Sequence, residues 1–365
     1  AASLLSDDRV TVNKVPEIND VSIIKTLINS LGVEVEESAK NICSFGMPQN
    51  NHPPYELVRQ IRASFLVMGP LLARKGEVRI SFPGGCAIGN RPIDLHLKGF
   101  QALGARINLS CVGATENILM AASMAEGRTY IENAALEPEV VDLANFINSM
   151  GGRISGAGSN VIKVDGVKKM NGTNYTPIPD RIEAGTYMVA AAATAGNVLV
   201  KNVIPEHLKA IIAKLIESGA EVEEDQAQVR VKRNKKIKPV YIKTLPYPGF
   251  PTDMQAQFMA YLSRAEGSSV VTESVFENRF MHVQELLRMG AKIKTEGRTA
   301  IIKGTQEISG ASVKATDLRA GAALLIAGLT AEGSTIISES EHIDRGYEKI
   351  VEKLSGLGAR IYRKP

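Results

Sequence analysis

The sequence predicts an α/β protein of two domains, each made of three copies of one helix-and-strand unit. A chain of 365 residues is long enough for two domains of ordinary size. One sequence motif, an apolar helix followed by glycine and a short β-branched strand, recurs six times. A second motif, a turn that leads into a strand, precedes each copy of the first by a nearly fixed number of residues. Six units that share this order favour two domains of three units each.

The first motif, which ends each amphipathic helix, identifies the units. Each glycine suits the position just after a helix, where a positive φ angle ends the helical turn. The helices before the glycines show the helical period, as Leu208, Ile211 and Leu215 do. The six copies are NSLGVEV (29–35), QALGARI (101–107), NSMGGRI (148–154), IESGAEV (216–222), LRMGAKI (287–293) and SGLGARI (355–361).

The second motif, the turn that leads into a strand, completes the unit together with the helix before it. Alanine-rich helices such as AGTYMVAAAATAG (184–196) precede most copies, and their small side chains permit close packing. We therefore expect these helices at the centre of a domain, with sheets and amphipathic helices around them. The boundary is expected near 173–180, which gives an N-terminal domain of residues 1–178 and a C-terminal domain of residues 179–365. The six copies are SDDRVTVN (6–13), RKGEVRIS (74–81), AEGRTYIE (125–132), TAGNVLVK (194–201), AEGSSVVT (265–272) and AEGSTIIS (331–338).

The spacing of the helix-ending glycines identifies one incomplete unit. The interval from Gly104 to Gly151 is much shorter than the other four intervals, which are nearly equal to one another. After GARINL (104–109) the chain passes directly to SCVGATENILMAA, without the hairpin found in other units. The spacing therefore predicts that residues of the complete pattern are missing between Leu109 and Ser110, and also before Ala1.

Composition excludes several classes of protein. The 43 basic and 39 acidic residues give a net charge of +4, which is too small to indicate nucleic-acid binding. No apolar run approaches the length of a membrane helix, and no signal peptide is evident. Cys43, Cys86 and Cys111 form neither a disulfide framework nor a zinc-binding pattern, so no metal or other cofactor is predicted. The basic run KRNKKIKP (232–239) is interpreted as a solvated hairpin.

A lengthened loop in the second unit is a candidate for function. From the turn to the helix-ending glycine, five units have nearly the same length, whereas the interval from Gly76 to Gly104 is longer. The surplus falls in SFPGGCAIGNRPID (81–94), whose glycines suit a loop that closes and excludes water. Arg91 near Cys86 favours a thiolate, so the residues alone leave Cys86 open as a nucleophile or a proton donor.

Acidic residues and arginines recur at the starts of elements. Asp180, Asp253 and Asp317 lie at corresponding helix starts, where they either cap the helix or line an anion-binding cleft. Two pairs have the spacing of a capping box, Thr252 with Gln255 and Asp180 with Glu183. Arginines in apolar surroundings suggest recognition of carboxylate or phosphate by planar guanidinium groups. They are Arg62, Arg91, Arg279, Arg319 and Arg345.

These motifs together resemble those of the UDP-N-acetylglucosamine enolpyruvyl transferases, a branch of the enolpyruvyl transferase family. The resemblance runs along the whole chain and rests on PGGCAIGNRPIDLH, SCVGAT, ENAALEPEVVD, PDRIEAGT, FPTDMQAQ, FENRFMH, ATDLRA and HIDRGYE. It implies a two-domain inside-out α/β barrel of six units, with the active site in the cleft between the domains. It also implies the substrates phosphoenolpyruvate and UDP-N-acetylglucosamine, and a first committed step of peptidoglycan synthesis in the bacterial cytoplasm. The alternatives are an enolpyruvyl-shikimate-phosphate synthase and a non-catalytic binding protein built on repeats.

The resemblance implies roles for particular residues. Cys86 is expected to be the general acid, or otherwise to assist turnover of the adduct, and Asp253 to take the proton of the sugar hydroxyl. Arg91, Arg319 and Arg345 are expected to clamp the phosphate and carboxylate of phosphoenolpyruvate, with Asp317 orienting the arginines. The residues expected to hold the UDP-sugar are Arg62, Arg91, Pro92, Ile93, Asp94, Leu95, Cys111, Val112, Asp253 and Val275.

Two segments of the family pattern are not in the sequence. One is an N-terminal segment with a Lys-Asn pair that contacts phosphoenolpyruvate, and the other precedes SCVGAT and includes a lysine that contacts UDP. Cys111 also stands where the family has serine. A protein without both segments is expected to be inactive, and the repeat spacing favours their presence in the complete protein.

Overall fold

The computed structural model describes residues 1–81, 94–101, 111–364 and the backbone of residues 106–108. The chain divides into two compact units between Ile178 and Pro179. Unit 1 is the described part of the chain up to Ile178, and unit 2 is the part from Pro179 onward. The predictions for Cys86, Arg91, Pro92 and Ile93 fall outside the described residues.

Unit 1 has two four-stranded sheets, with strand orders β2-β3-β1-β8 and β4-β5-β7-β6. The strands are β1 (Val10–Val12), β2 (Glu34–Ser38), β3 (Asn41–Phe45), β4 (Arg106–Asn108), β5 (Arg128–Glu132), β6 (Arg153–Ser155), β7 (Val161–Asp165) and β8 (Thr173–Tyr175). The helices are α1 (Asn19–Ser30), α2 (Tyr55–Val58), α3 (Met68–Lys75), α4 (Asp94–Gln101), α5 (Val112–Ala122) and α6 (Pro138–Ser149), with 3₁₀ turns at Ala2–Leu5 and Arg62–Val67.

Unit 2 has sheets of three, four and two strands, in the orders β10-β11-β9, β12-β13-β15-β14 and β16-β17. The strands are β9 (Asn197–Lys201), β10 (Glu221–Asp225), β11 (Gln228–Lys232), β12 (Tyr241–Lys243), β13 (Ser268–Thr272), β14 (Lys292–Glu296), β15 (Thr299–Lys303), β16 (Ser312–Lys314) and β17 (Ile336–Ser338). The helices are α7 (Arg181–Ala193), α8 (Lys209–Glu217), α9 (Gln255–Leu262), α10 (Val283–Arg288), α11 (Leu318–Thr330), α12 (Glu341–Asp344) and α13 (Ile350–Gly356), with 3₁₀ turns at Pro205–Leu208 and Thr252–Met254.

The predicted repeat is visible in the hairpins and in the glycines before them. Four antiparallel hairpins recur, β2 with β3, β6 with β7, β10 with β11 and β14 with β15. The strand that opens each of these units pairs antiparallel with the second strand of its hairpin. Positive φ angles are confirmed at five helix-ending glycines, and the sixth, Gly104, lies outside the described residues. The five are Gly32 (86°), Gly151 (95°), Gly219 (98°), Gly290 (87°) and Gly358 (97°).

The alanine-rich helices lie inside unit 2, as predicted. Helices α7, α9 and α11 contact one another, and α7 also contacts strands β9 and β11. Their alanines are buried in the main apolar core of the unit, including Ala190 to Ala193 in α7. A Cβ atom on Gly321 in α11 would lie 2.4 Å from the side chain of Ile343, so this close approach requires glycine. Helices inside and sheets outside confirm the predicted inside-out α/β class.

The second unit departs from the predicted pattern. Residues 77–81, at the end of RKGEVRIS, form no strand, and the Arg79 N–H instead donates to the Asn51 carbonyl at 3.0 Å. Strand β4 pairs parallel with β5, in the way that β8 pairs with β1, β12 with β13 and β16 with β17. It therefore occupies the place of the strand that links two units, and the short strand expected after Gly104 is present at Arg106–Asn108. The parallel register of β4 favours a position of the missing hairpin just before Arg106, a few residues upstream of the break predicted between Leu109 and Ser110.

One arginine of the basic run that follows β11 has a structural role. The Arg233 guanidinium donates to the carbonyl groups of Ala192, at the end of α7, and of Ala193, at 3.2 Å. Both carbonyls lie in the last turn of α7, so Arg233 adds hydrogen bonds at the C-terminal end of this helix. Among the described helices, none has both the length and the apolar character that crossing a bilayer requires.

Candidate functional site

The carboxylate of Asp253 is held by two arginines in unit 2. Asp253 lies in the 3₁₀ turn that leads into α9. Its Oδ1 accepts a hydrogen bond from Arg279 Nη2 at 2.6 Å, and its Oδ2 lies 3.8 Å from Arg319 Nη2. The Asp253 side chain is 42% exposed, whereas those of Arg279 and Arg319 are only 5% and 14% exposed. The accessible carboxylate of Asp253 therefore interacts with the largely buried guanidinium groups of Arg279 and Arg319.

This arrangement suits a group that exchanges a proton with a bound hydroxyl. The charge-assisted bond to Arg279 fixes the plane of the Asp253 carboxylate. The exposed part of the same carboxylate can accept a hydrogen bond from a ligand hydroxyl and then its proton. The adjacent guanidinium groups supply positive charge at a place where a phosphate or carboxylate of a ligand can bind. We refer to Asp253, Arg279, Arg319 and Tyr347 as the Asp253 cluster.

Both the backbone N–H and the guanidinium of Arg319 have hydrogen-bond partners. Its backbone N–H and that of Ala320 donate to Asp317 Oδ1 at 2.8 and 3.0 Å, so Asp317 caps α11. Its Nη1 donates to the Tyr347 hydroxyl at 3.1 Å. Burial alone lowers the pKa of Arg319, but Tyr347 and Asp253 outweigh that effect and the pKa lies above its ordinary value. Arg319 therefore stays charged beside Asp253.

The three acidic residues at corresponding helix starts bind different groups. Asp180 caps α7, because its Oδ1 accepts from the N–H groups of Ile182 and Glu183 at 2.7 and 3.0 Å. The Glu183 side chain binds Lys353 at 2.7 Å. The capping interpretation is thus correct for Asp180 and Asp317. It is wrong for Asp253, whose carboxylate binds Arg279 across the cluster.

Glu273 is a residue of this site that the sequence analysis missed. It follows β13, is 1% exposed, and accepts four hydrogen bonds. The donors are Thr244 Oγ1 (2.8 Å), Thr252 Oγ1 (2.8 Å), Val275 N–H (2.8 Å) and Phe276 N–H (3.1 Å). Glu273 therefore joins the end of β12, the turn that carries Asp253, and the loop of the expected sugar contact Val275. The available signal was a lone acidic residue directly after the apolar strand SSVVT.

The predicted capping box at Thr252 and Gln255 is wrong for the same reason. The Thr252 hydroxyl donates to Glu273 and not to a helix N–H group. Gln255 is fully buried, and its side-chain amide has no hydrogen-bond partner within the described residues. Arg345 is half-buried just after α12, two residues before Tyr347.

A second cluster of expected site residues lies in unit 1 around His96. His96 in α4 is 4% exposed, and its Nδ1 lies 3.1 Å from Asn117 Nδ2. Its pKa is lowered to about 4, first by burial and then by the charge of Arg62, while Asp94 opposes the shift. The pKa of Arg62 is itself lowered by burial, and Cys111 opposes that shift. Arg62, Asp94, His96 and Cys111 thus form one neighbourhood, which we name the Arg62 cluster.

Asn117 supports this cluster and was also missed by the sequence analysis. Its Nδ2 donates to the Phe65 carbonyl at 3.0 Å, and its Oδ1 accepts from the Gly69 N–H at 2.7 Å. It therefore ties α5 to the 3₁₀ turn that begins with Arg62, to α3 and to His96. The signal in the sequence was one amide directly before the apolar run ILMAA (118–122). The expected contacts Leu95 and Val112 are half-buried against the core of unit 1.

Metal binding has no structural support within the described ranges. No group of three or more His, Cys, Asp or Glu side chains in residues 1–81, 94–101 and 111–364 is arranged to hold an ion.

Comparison with known proteins assigns the family. The family model described as EPSP synthase (3-phosphoshikimate 1-carboxyvinyltransferase) matches residues 1–111 and 108–354. UDP-N-acetylglucosamine 1-carboxyvinyltransferase 2 of Carboxydothermus hydrogenoformans is 58% identical, covering 100% of this chain and 92% of that protein. UDP-N-acetylglucosamine 1-carboxyvinyltransferase 1 of Caldanaerobacter subterraneus is 56% identical, covering 100% of this chain and 93% of that protein.

The alignments also support the missing hairpin. The alignment with the Carboxydothermus protein is 388 positions long, whereas the chain has 365 residues. The alignment therefore places gaps in this chain opposite residues of the Carboxydothermus protein. The two matched segments of the family model meet at residues 108–111, beside β4.

Solved structures share the fold at lower identity. The enolpyruvyl transferase NikO from Streptomyces tendae has a TM-score of 0.87 and 22% identity, covering 99% of this chain and 92% of that one. EPSP synthase from Acinetobacter baumannii has a TM-score of 0.75 and 20% identity, covering 100% of this chain and 94% of that one. With the repeat, the site and the relatives in agreement, the resemblance inferred from the motifs is confirmed, and the chain belongs to the EPSP synthase family of carboxyvinyl (enolpyruvyl) transferases.

Proposed function

We propose that the protein transfers the enolpyruvyl group of phosphoenolpyruvate to the 3′-hydroxyl of UDP-N-acetylglucosamine and releases phosphate. This is the reaction expected at the start of peptidoglycan synthesis. The observation that carries the proposal is the accessible carboxylate of Asp253 on the two buried guanidinium groups of Arg279 and Arg319. Two relatives that are 58% and 56% identical, each matched over the whole chain, are named for this sugar nucleotide, which supports it over shikimate 3-phosphate.

The chemistry is an addition followed by an elimination. The sugar oxygen forms a bond to C2 of phosphoenolpyruvate while Asp253 takes the hydroxyl proton, and the methylene carbon gains a proton to become a methyl group. The resulting tetrahedral ketal then loses a methyl proton as the bond from C2 to the phosphate oxygen breaks. The enolpyruvyl ether and inorganic phosphate are the products, and no oxidant or reductant is needed.

The remaining roles follow the resemblance. Cys86 is the proton donor to the methylene carbon or otherwise assists turnover of the ketal. Arg91, Arg319 and Arg345 bind the phosphate and carboxylate of phosphoenolpyruvate and stabilise charge as it moves. The UDP-sugar contacts include Arg62, with Asp94 and Cys111 beside it. Asp317 acts through the start of α11, which it caps.

Phosphate release tests the proposal. The chain, and a variant with the hairpin of the Carboxydothermus relative inserted before Arg106, are each incubated with phosphoenolpyruvate and UDP-N-acetylglucosamine. We expect release from the variant, only when both substrates are present, and none from the chain without the insertion. Release with shikimate 3-phosphate in place of the UDP-sugar would support the sister reaction. No release by either protein with any acceptor would support a non-catalytic role.

A further inference from the structure

A closed path of polar contacts runs from the Asp253 backbone to its own carboxylate. Gln257 Nε2 donates to the Asp253 carbonyl at 2.8 Å and to Thr186 Oγ1 at 3.2 Å. The hydroxyl groups of Thr186 and Tyr347 are 2.9 Å apart, and Arg319 Nη1 donates to the Tyr347 oxygen at 3.1 Å. Arg319 Nη2, at 3.8 Å from Asp253 Oδ2, closes the path.

The direction of each hydrogen bond in this path follows from its neighbours. The Thr186 hydroxyl donates to the Ile182 carbonyl at 2.8 Å, within α7. While Thr186 keeps this bond, the Tyr347 hydroxyl donates to the Thr186 oxygen. Arg319 can only donate, so the Tyr347 oxygen is the acceptor that faces the arginine whichever hydroxyl donates between Thr186 and Tyr347.

The path is buried except at Asp253. Gln257 is fully buried, and Tyr347 and Thr186 are 1% and 4% exposed. Buried polar groups that lose a partner are costly, so such a network holds its members in one geometry. The guanidinium of Arg319 also lies 5.6 Å from the centre of the Tyr347 ring, which adds a second contact between the two side chains.

We propose that Tyr347 is a positioning residue for enolpyruvyl transfer. Its hydroxyl holds the Arg319 guanidinium against the Asp253 carboxylate, Thr186 orients that hydroxyl, and Gln257 fixes the backbone of Asp253. Tyr347 acts through Arg319 and not by touching substrate. The inference rests on the proposed function, because it assumes that Asp253 and Arg319 work on the same substrates.

Tyr347→Phe tests the inference with Tyr261→Phe as its matched control. Tyr261 is also 1% exposed in unit 2, and its hydroxyl lies 2.9 Å from that of Ser218, so both substitutions remove one buried hydroxyl. We expect Tyr347→Phe to lower kcat about 10- to 100-fold, the effect of a small misplacement of a catalytic group. The KM for UDP-N-acetylglucosamine should stay within about twofold, because Tyr347 acts through Arg319, whose expected ligand is phosphoenolpyruvate. Tyr261→Phe should leave kcat unchanged.

Thr186→Val is a second variant, for the case in which Tyr347→Phe does not fold. It removes the hydrogen-bond partner of the Tyr347 hydroxyl and should lower kcat in the same direction, again without raising the KM for UDP-N-acetylglucosamine. A kcat for Tyr347→Phe equal to that of Tyr261→Phe, with the unsubstituted protein active, would overturn the inference and leave the proposed function intact.

A crystal structure of Tyr347→Phe gives a readout that does not depend on turnover. We expect the Arg319 guanidinium to leave its place beside Asp253 in that structure, and to keep it in Tyr261→Phe. An unmoved guanidinium would overturn the inference even if the unsubstituted protein released no phosphate, a result that would count separately against the proposed function.

Discussion

Asp253 combines exposure and fixed orientation in a single side chain. Its two arginine partners are buried, while 42% of its own side-chain surface remains accessible. Asp180 and Asp317 begin helices at corresponding places in the repeat, yet their carboxylates are used by backbone N–H groups of their own helices. The difference follows from the position of Arg279, which binds Asp253 from 26 residues away.

Asp253→Asn should abolish most turnover and keep sugar binding. Asparagine preserves shape but cannot take the hydroxyl proton, and general-base catalysis contributes about 10²- to 10⁴-fold. We expect kcat to fall within that range while binding of UDP-N-acetylglucosamine, measured by calorimetry, changes less than about tenfold. Asp180→Asn, at the equivalent helix start, is the control and should affect stability more than kcat. Equal kcat values for Asp253→Asn and the unsubstituted protein would contradict the assigned role.

His96 should make the protein less stable as the pH falls below about 6.5. The pKa of His96 is depressed to about 4 in the folded protein, against 6.5 when it is exposed. Protonation between these values therefore occurs in the unfolded chain and favours unfolding, so the stability is present above pH 6.5 and is lost towards pH 4. Urea unfolding from pH 7 to pH 5 should show a smaller loss for His96→Gln than for the unsubstituted protein. The exposed His52, changed to Gln, is the control, and identical slopes for all three proteins would refute the assignment.

Sequence reasoning at this scale found Asp253, Arg279 and Arg319 but not their supports. Helix-start motifs and arginines in apolar surroundings are visible locally, because the spacing of a repeat aligns them. Glu273, Tyr347 and Asn117 are selected by partners from other elements, and the local signal at Glu273 and Asn117, a polar residue next to an apolar run, does not show which groups these side chains bind. The same limit explains the wrong capping box at Thr252, whose partner Glu273 is 21 residues away.

At the scale of elements, one carboxylate holds the loops around Asp253. Glu273 receives donors from the segment after β12, from the turn before α9 and from its own loop. A buried carboxylate with four donors is a strong constraint, because each donor would lose a charged acceptor on its removal.

Glu273→Gln should destabilise unit 2 and disturb the site. The amide keeps one acceptor oxygen but brings two N–H donors towards groups that also donate. We expect a loss of about 1 to 3 kcal/mol in the free energy of unfolding, measured in urea. Glu277→Gln is the control, because Glu277 binds Arg298 at 3.0 Å on the surface, where such a pair contributes about 0 to 1 kcal/mol. Equal losses for the two variants would show that Glu273 does not hold these loops together.

The elements themselves were the most predictable part of the fold. Glycine at a helix end and a β-branched run after it are local signals, and within the described residues four units follow both, at Gly32, Gly151, Gly219 and Gly290. The strand expected after Gly358 is not formed. The strand expected at residues 77–81 fails because a strand needs a partner, and the hairpin that pairs with the opening strand in other units is missing here. The composition of β4 does not show whether it is a linking strand or a hairpin strand. Only the parallel register with β5 distinguishes them.

At the scale of the whole molecule, an open and mostly apolar pocket lies beside residues 77–81 in unit 1. The pocket has a volume of about 430 Å³. Its lining includes the apolar side chains of the segment that lacks a strand partner and of the neighbouring helices. The lining residues are His52, Phe65, Met68, Val78, Arg79, Ile80, Ser81 and Leu97.

Inserting the hairpin of the Carboxydothermus relative before Arg106 should stabilise the protein. It would give residues 77–81 an antiparallel partner and cover apolar side chains worth about 1.5 to 3 kcal/mol each when fully buried. We expect the midpoint of thermal unfolding to rise by about 5 °C or more. A glycine-serine insert of the same length is the control and should not raise it. Equal midpoints for the two insertions would contradict the position inferred for the missing hairpin.

Deuterium in the product tests the central claim most directly. The chain with the inserted hairpin is incubated with phosphoenolpyruvate and UDP-N-acetylglucosamine in D₂O, and the UDP-sugar is analysed by mass spectrometry. Addition and elimination convert the methylene group to a methyl group and back, so we predict an enolpyruvyl ether on the sugar with deuterium in its methylene group. Unmodified UDP-sugar, or an ether without deuterium, would contradict the account.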